Sequence, residues 1–88
     1  MSDTILVTGA SGCIGGWVVK NLVGQGRRVA AFDLFPENLR KLLLIMPEAD
    51  LAKVEVIPGD VSSLDDVRRA FAHGIKQVIH LAALQLPF

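Results

Sequence analysis

The feature that most constrains this chain is a transition near its start, where the apolar run Ile5-Leu6-Val7 enters a turn carrying glycines at positions 9, 12 and 15. An unbroken β-favouring run of this kind suits a strand covered on both faces, here Thr4 to Thr8. After the turn, Ile14, Trp17, Val18, Asn21 and Leu22 recur at helical spacing, with Asn21 as the polar member. The spacing predicts a helix from Gly12 to about Gly24 with that stripe as its apolar face. Each glycine has its own task. Gly9 lets the chain turn sharply out of the strand, Gly12 lets backbone N–H groups approach a ligand, and Gly15 lets the helix sit close to the sheet. The helix N-terminus then faces an anion such as a pyrophosphate. Three glycines alone are weak evidence, but the flanking strand and helix supply the context that gives the pattern meaning. A P-loop is excluded, because no Gly-Lys-Ser/Thr follows.

The rest of the chain continues the alternation. Gly24-Gln25-Gly26 stops the first helix, and Arg28 to Asp33 reads as a second buried strand. Pro36 followed by Glu37 starts a second helix, which runs to about Met46 and stops before Pro47. Its expected core residues are Leu39, Leu42, Leu43 and Met46, while Leu44 and Ile45 are left for a neighbour or for Leu51. Val54 to Ile57 forms strand three, and Ser62 or Ser63 caps a third helix that Gly74 ends. Leu64, Val67 and Phe71 make its buried stripe, with Asp65 and Arg69 paired on the solvated side. Gln77 to Leu81 is strand four. The β-α-β-α-β-α-β order predicts an α/β fold, a Rossmann-like doubly wound parallel sheet of four strands ordered 3-2-1-4 with three helices. Helices one and two share one face and helix three takes the other. Residues 1–88 then form one dinucleotide-binding segment, the N-terminal half of a larger domain, and the chain looks cut a few residues after strand four.

Asp33, at the end of strand two, follows the glycines at close to the ~20-residue spacing of a ribose-binding acid. Its carboxylate suits both hydroxyls of an adenosine ribose and repels the 2′-phosphate of NADP. No arginine immediately follows it, and Arg40 reads as a solvated helix charge, so the sequence leans toward NAD. Two plainer readings stay open: an aspartate that only caps a strand-end turn, and a glycine turn without a ligand.

Nine basic and nine acidic residues cancel, which removes the electrostatic footprint of a nucleic-acid binder and of a polybasic membrane patch. The longest apolar run, Leu42 to Pro47, is far below the ~18 residues of a membrane span. The single cysteine, Cys13, cannot form an internal disulfide, and the N-terminus has no basic targeting region, so the cytoplasm is the expected compartment. One cysteine and two separated histidines give no metal-ligand spacing. Cys13, at a helix N-terminus, invites a reactive-thiol reading, but a small apolar residue beside the loop needs no chemistry. His80 is expected to bond backbone at the end of strand four, and His73 to lie at the surface.

Four motifs, Thr8-Gly9-Ala10-Ser11-Gly12-Cys13-Ile14-Gly15, Phe32-Asp33-Leu34, Gly59-Asp60-Val61 and His80-Leu81-Ala82-Ala83, occur in order over nearly the whole chain. Together they resemble the extended short-chain dehydrogenases/reductases, the NAD-dependent epimerase/dehydratase family. The resemblance implies that Gly9, Ser11, Gly12, Cys13, Ile14 and Gly15 bind NAD together with Asp33. It also implies that Asp60 and Val61 bracket the adenine, and that Leu81, Ala82 and Ala83 line the path toward the nicotinamide ribose. Members act mostly on nucleotide-sugars and related alcohols. Cys13 departs from the phenylalanine such proteins often carry there. Their Tyr-x-x-x-Lys pair lies beyond strand four, and this chain contains no tyrosine. The expectation is therefore the NAD-binding segment of an oxidoreductase, epimerase or dehydratase, without turnover of its own. The alternative is a free-standing dinucleotide-binding or assembly module. A methyltransferase fits less well, since the glycine pattern and the motifs at Asp60 and His80 would not be expected together. Strand four lacks the charge, proline or bulge that protects an edge, so homo-oligomers through that edge are expected.

Overall fold

The computed structural model describes residues 4–81. Four strands, β1 (Thr4–Thr8), β2 (Arg28–Asp33), β3 (Glu55–Pro58) and β4 (Ile75–His80), form one sheet in the order β3-β2-β1-β4. Every neighbouring pair is parallel, as the expected topology requires. β1 lies between β2 and β4 and is buried along its whole length, which accounts for its unbroken apolar run. The register sets Thr8 beside Phe32 on one side and His80 on the other, so the C-terminal ends of the strands meet at one edge of the sheet.

Side chains alternate between two cores. Ile5 and Val7 enter one with Val29, Ala31 and Val19 of helix α1 (Cys13–Gly24), together with Leu39, Leu42 and Met46. Leu6, Ala30 and Phe32 enter the other with Ile57 and Ala70 of helix α3 (Leu64–Phe71). Each fully buried Val, Leu, Ile or Phe side chain contributes about 1.5–3 kcal/mol, so the first core, with more members, is the better secured. The segments before and after β2 share its face and α3 takes the opposite one, as right-handed crossovers demand.

The second helix differs from the expectation of one α-helix from Pro36 to Met46, and with it the count of three helices. Pro36–Leu44 is a 3-10 helix, and a separate short helix α2 (Glu48–Leu51) follows. Asn38 N–H donates to the Phe35 carbonyl and Ile45 N–H to that of Leu42, both across three residues. Leu39, Leu42 and Ile45 reach the core at intervals of three, the period of this tighter helix. Leu43, expected in the core, is half-exposed for the same reason, and Leu44 is 87% exposed.

Two helix faces are also rotated from those the apolar stripe suggested. Ile14 is 69% exposed and Trp17 half-exposed, while Gly15, Gly16 and Val19 face inward. The glycines decide this, because only they tolerate the approach described below. On α3, Leu64 and Phe71 are exposed and the buried residue is Ala70, with Val67 packed beside it. Arg69 pairs with Asp66 at 3.1 Å rather than with Asp65, and also donates to the Pro58 carbonyl. The strand limits move slightly: Val54 N–H closes a turn onto Leu51 before β3 begins, and β4 starts directly after Gly74, whose φ is +74°.

Candidate functional site

The glycine turn leaves the end of the central strand. Gly9 has φ +71°, a conformation that costs other residues strain, and its N–H donates to the Phe32 carbonyl at 3.2 Å. Gly12 N–H donates back to the Gly9 carbonyl at 3.0 Å and closes the turn. Gly12 is itself the N-cap of α1, extended at φ −73° and ψ 170°, and offers no capping side chain. The first helical bond runs from Gly16 N–H to the Gly12 carbonyl at 2.9 Å. The amides of Cys13, Ile14 and Gly15 come before it, at the positive end of the helix dipole and without intrahelical acceptors. Gly15 rests on the turn so closely that a Cβ there would lie 2.1 Å from the Gly9 oxygen. This gives backbone N–H donors at the start of α1 beside a glycine turn, the local chemistry that suits a phosphate.

Asp33 closes the site from the neighbouring strand. Its side chain is 8% exposed, and Oδ2 accepts from both the N–H and the hydroxyl of Ser11, at 3.0 and 2.7 Å. Oδ1 accepts from Phe35 N–H at 2.9 Å, and the Asp33 carbonyl accepts from Gly59 N–H at 3.0 Å. The turn-capping role is therefore realised, and it ties the glycine turn to the end of β2. The link between Ser11 and Asp33 escaped the sequence reading. Its one signal is that a hydroxyl in the turn leaves a strand adjacent to the one that Asp33 ends.

Asp60 follows β3. Its Oδ1 accepts from the Ser62 hydroxyl at 2.7 Å and from Ser62 N–H at 2.9 Å. These bonds, the hydroxyl first, hold its carboxyl below the usual carboxylate range. Asp60 N–H donates to Asp66 Oδ2, joining this loop to α3. Gly59 is required beside it, because a Cβ there would meet the Phe32 ring at 2.5 Å. Val61 is exposed and borders an apolar cavity of about 230 Å³ on the α3 face, with Phe32, Phe71, Val78 and His80.

At the end of β4, His80 Nδ1 bonds Thr8 Oγ1 at 2.7 Å, a side-chain partner rather than the expected backbone one. Leu81 N–H donates to the same Thr8 oxygen at 3.0 Å and to the Thr8 carbonyl at 3.2 Å. Ala82 and Ala83 lie outside the described residues. His73 is at the surface and pairs with Glu55. The described residues thus bring Gly9, Ser11, Gly12, Cys13, Ile14, Gly15 and Asp33 into one unit, with Asp60, Val61 and Leu81 on the strand ends to either side. Among them no helix is long and apolar enough to cross a membrane, and no three His, Cys, Asp or Glu side chains are grouped to hold a metal ion.

The match to known proteins follows this geometry. The model of the NAD dependent epimerase/dehydratase family aligns with residues 5–87. The chain belongs to that family. It is 38% identical over 87 residues to UDP-glucose 4-epimerase 3 of Oryza sativa subsp. japonica, covering 93% of this chain and 23% of the relative. Identity to the 3-beta-hydroxysteroid dehydrogenase of Mycolicibacterium neoaurum is 34% over 80 residues, covering 91% and 19%. Among solved structures, UDP-glucose 4-epimerase from Bifidobacterium longum in complex with NAD+ and UDP superposes with a TM-score of 0.76 at 31% identity. That match covers 93% of this chain and 25% of the other. The Bordetella bronchiseptica enzyme WbmG in complex with NAD gives a TM-score of 0.74 at 30% identity, covering 97% and 26%. The chain spans about a fifth to a quarter of the length of these family members.

Proposed function

We propose that residues 1–88 are the N-terminal NAD-binding segment of an oxidoreductase, epimerase or dehydratase of this family acting on a nucleotide-sugar or related alcohol. The observation that carries the proposal is the joined unit of glycine turn, α1 N-terminus and Asp33. In this reading the amides from Gly12 to Gly15 receive the pyrophosphate and Asp33 the adenosine ribose. Asp60 and Val61 flank the adenine, and Leu81, Ala82 and Ala83 lead toward the nicotinamide half. Asp33 disfavours a 2′-phosphate, so NAD is preferred to NADP. Bound NAD would supply hydride transfer to and from a carbon centre, while these residues bind and orient it. With no tyrosine to act as general acid/base, the chain by itself is assigned no turnover. A lone cysteine, which cannot form an internal disulfide, supports a reducing, cytoplasmic setting.

Amide-shift titration of the chain with NAD and NADP tests the assignment. Residues 9–15 and 33 should shift, NAD should bind more tightly, and Asp33→Ala should weaken NAD more than NADP. Equal losses for the two cofactors, or shifts confined to other residues, would overturn it.

A second property is supported by β4, whose outer edge pairs with no strand among the described residues and whose Val78 is 45% exposed beside Phe71. In this reading two copies pair through that edge about a two-fold axis. Ile79 packs against the α1 core and is a poor probe, whereas Val78→Lys changes the open face. Sedimentation should show an assembly for the parent chain and a monomer for Val78→Lys, and a parent that runs as a monomer would sink the idea.

A further inference from the structure

Asp33 offers a ligand less acceptor capacity than its position suggests. A carboxylate has about four lone-pair directions. Ser11 N–H and the Ser11 hydroxyl occupy two of them on Oδ2, and Phe35 N–H occupies one on Oδ1. One remains, on Oδ1. An adenosine ribose presents two neighbouring hydroxyls, so a carboxylate held this way accepts from one of them. Of the three donors in place, two are backbone amides fixed by the turn and by the chain after β2. Only the Ser11 hydroxyl leaves by rotation about a single bond, and its residue is half-buried rather than enclosed.

We propose that the Ser11 hydroxyl competes with the adenosine ribose for Asp33, so that Ser11 sets how many ribose hydroxyls the carboxylate binds. The inference rests on the dinucleotide reading above. In the parent chain the second ribose hydroxyl gains its bond only by displacing that of Ser11 at 2.7 Å, an exchange of one hydroxyl for another with little net gain. Ser11→Ala removes the competitor and keeps the amide that orients Oδ2. The second ribose hydroxyl then adds a hydrogen bond to a charged acceptor.

The test compares ADP with 2′-deoxy-ADP and 3′-deoxy-ADP by amide-shift titration of the parent, Ser11→Ala and Ser11→Thr chains. In the parent, each deoxy analogue should bind within about twofold of ADP. In Ser11→Ala, ADP should tighten, and loss of either hydroxyl should weaken binding by about tenfold, the scale of one charge-assisted hydrogen bond. Ser11→Thr restores a hydroxyl at the same atom and should return the parent's ratios. A tenfold loss with the deoxy analogues already in the parent would overturn the proposal. So would ratios unchanged by Ser11→Ala, or a threonine variant that behaves like alanine. If ADP and NAD bind none of the three chains, the dinucleotide reading falls and takes this one with it. Binding with unaltered ratios removes the competition alone.

Discussion

Gly15→Ala is the substitution for which the structure gives the sharpest expectation. The added Cβ would lie 2.1 Å from the Gly9 oxygen, 2.9 Å from the Gly9 carbonyl carbon and 3.0 Å from Ala10 Cα. An ordinary carbon–oxygen contact is about 3.5 Å, so helix and turn must part by more than about 1 Å. All three obstructing atoms are backbone, and no side chain can rotate away. Separation would also stretch the Gly12 N–H bond to the Gly9 carbonyl and shift Ser11 away from Asp33. Overpacking costs typically 1–3 kcal/mol and more where nothing yields, so about 3–4 kcal/mol is expected here. At roughly 0.05–0.15 kcal/mol per residue, a domain of this length has about 4–13 kcal/mol in all. The melting temperature should fall by at least ~12 °C, at about 4–8 °C per kcal/mol for a small domain.

Gly12→Ala is the control, because its Cβ would sit 3.2 Å from the same oxygen in an extended backbone open to any residue. Its cost is that of a poor N-cap, about 1 kcal/mol at most. Thermal and urea melts by circular dichroism compare the two variants with the parent. If Gly15→Ala melts within a few degrees of the parent, or Gly12→Ala falls as far as Gly15→Ala, the argument that close backbone approach dictates the third glycine is refuted. A folded Gly12→Ala chain that has lost NAD-dependent shifts in the turn would separate the binding role of one glycine from the packing role of the other.

The 3-10 segment and the Asp60 loop give the remaining expectations. Leu42→Ala should lower stability by about 2–5 kcal/mol in urea unfolding, while Leu44→Ser, at the neighbouring exposed turn, should change it by no more than about 0.5 kcal/mol. The Asp60 carboxyl, held low by the Ser62 hydroxyl and amide, should titrate by carboxyl-carbon NMR below the ordinary carboxylate value, and Ser62→Ala should move its midpoint upward. The sign follows from the lowered folded-state value: this small contribution is complete above the ordinary carboxylate pKa and is lost as pH falls through the lowered one.

Strands and topology were legible because β1 and β2 are buried on both faces and therefore had to be written as apolar runs. The turn was legible because positive φ at Gly9 and near contact at Gly15 leave glycine as the residue that fits. The orientation of α1 was not legible. A hydrophobic stripe gives weight to Ile14 and Trp17 and none to Gly15 and Gly16, yet small size brings those glycines inward and turns the large residues out. The 3-10 helix was hidden for a related reason. Leu39 and Leu42 fit periods of 3.0 and 3.6 equally, and the partial burial of Ile45, the exposure of Leu43 and the hydrogen bonds across three residues distinguish them. At the candidate site, spacing singled out Asp33, whose occupied lone pairs depend on how the turn closes over β2. No one-dimensional pattern carries that information.

That closure gives Asp33 a structural role beside the ribose-binding role proposed for it, which determines how its variants must be interpreted. Asp33→Ala strips the acceptor from Ser11 N–H, the Ser11 hydroxyl and Phe35 N–H at once, and loosens the tie between the glycine turn and the end of β2. A fall in NAD affinity alone could therefore report a loosened turn rather than lost ribose bonds. The comparison with NADP removes the ambiguity. Both cofactors meet the same folded fraction and the same turn, so any structural loss scales both affinities alike and cancels in their ratio. What survives in the ratio is the term in which they differ, chiefly repulsion between the carboxylate and the 2′-phosphate, since a carboxylate that accepts from one ribose hydroxyl loses little when NADP lacks the other. A ratio that shifts toward NADP in a variant of reduced stability thus identifies the carboxylate as a discriminating group, independently of its role in holding Ser11.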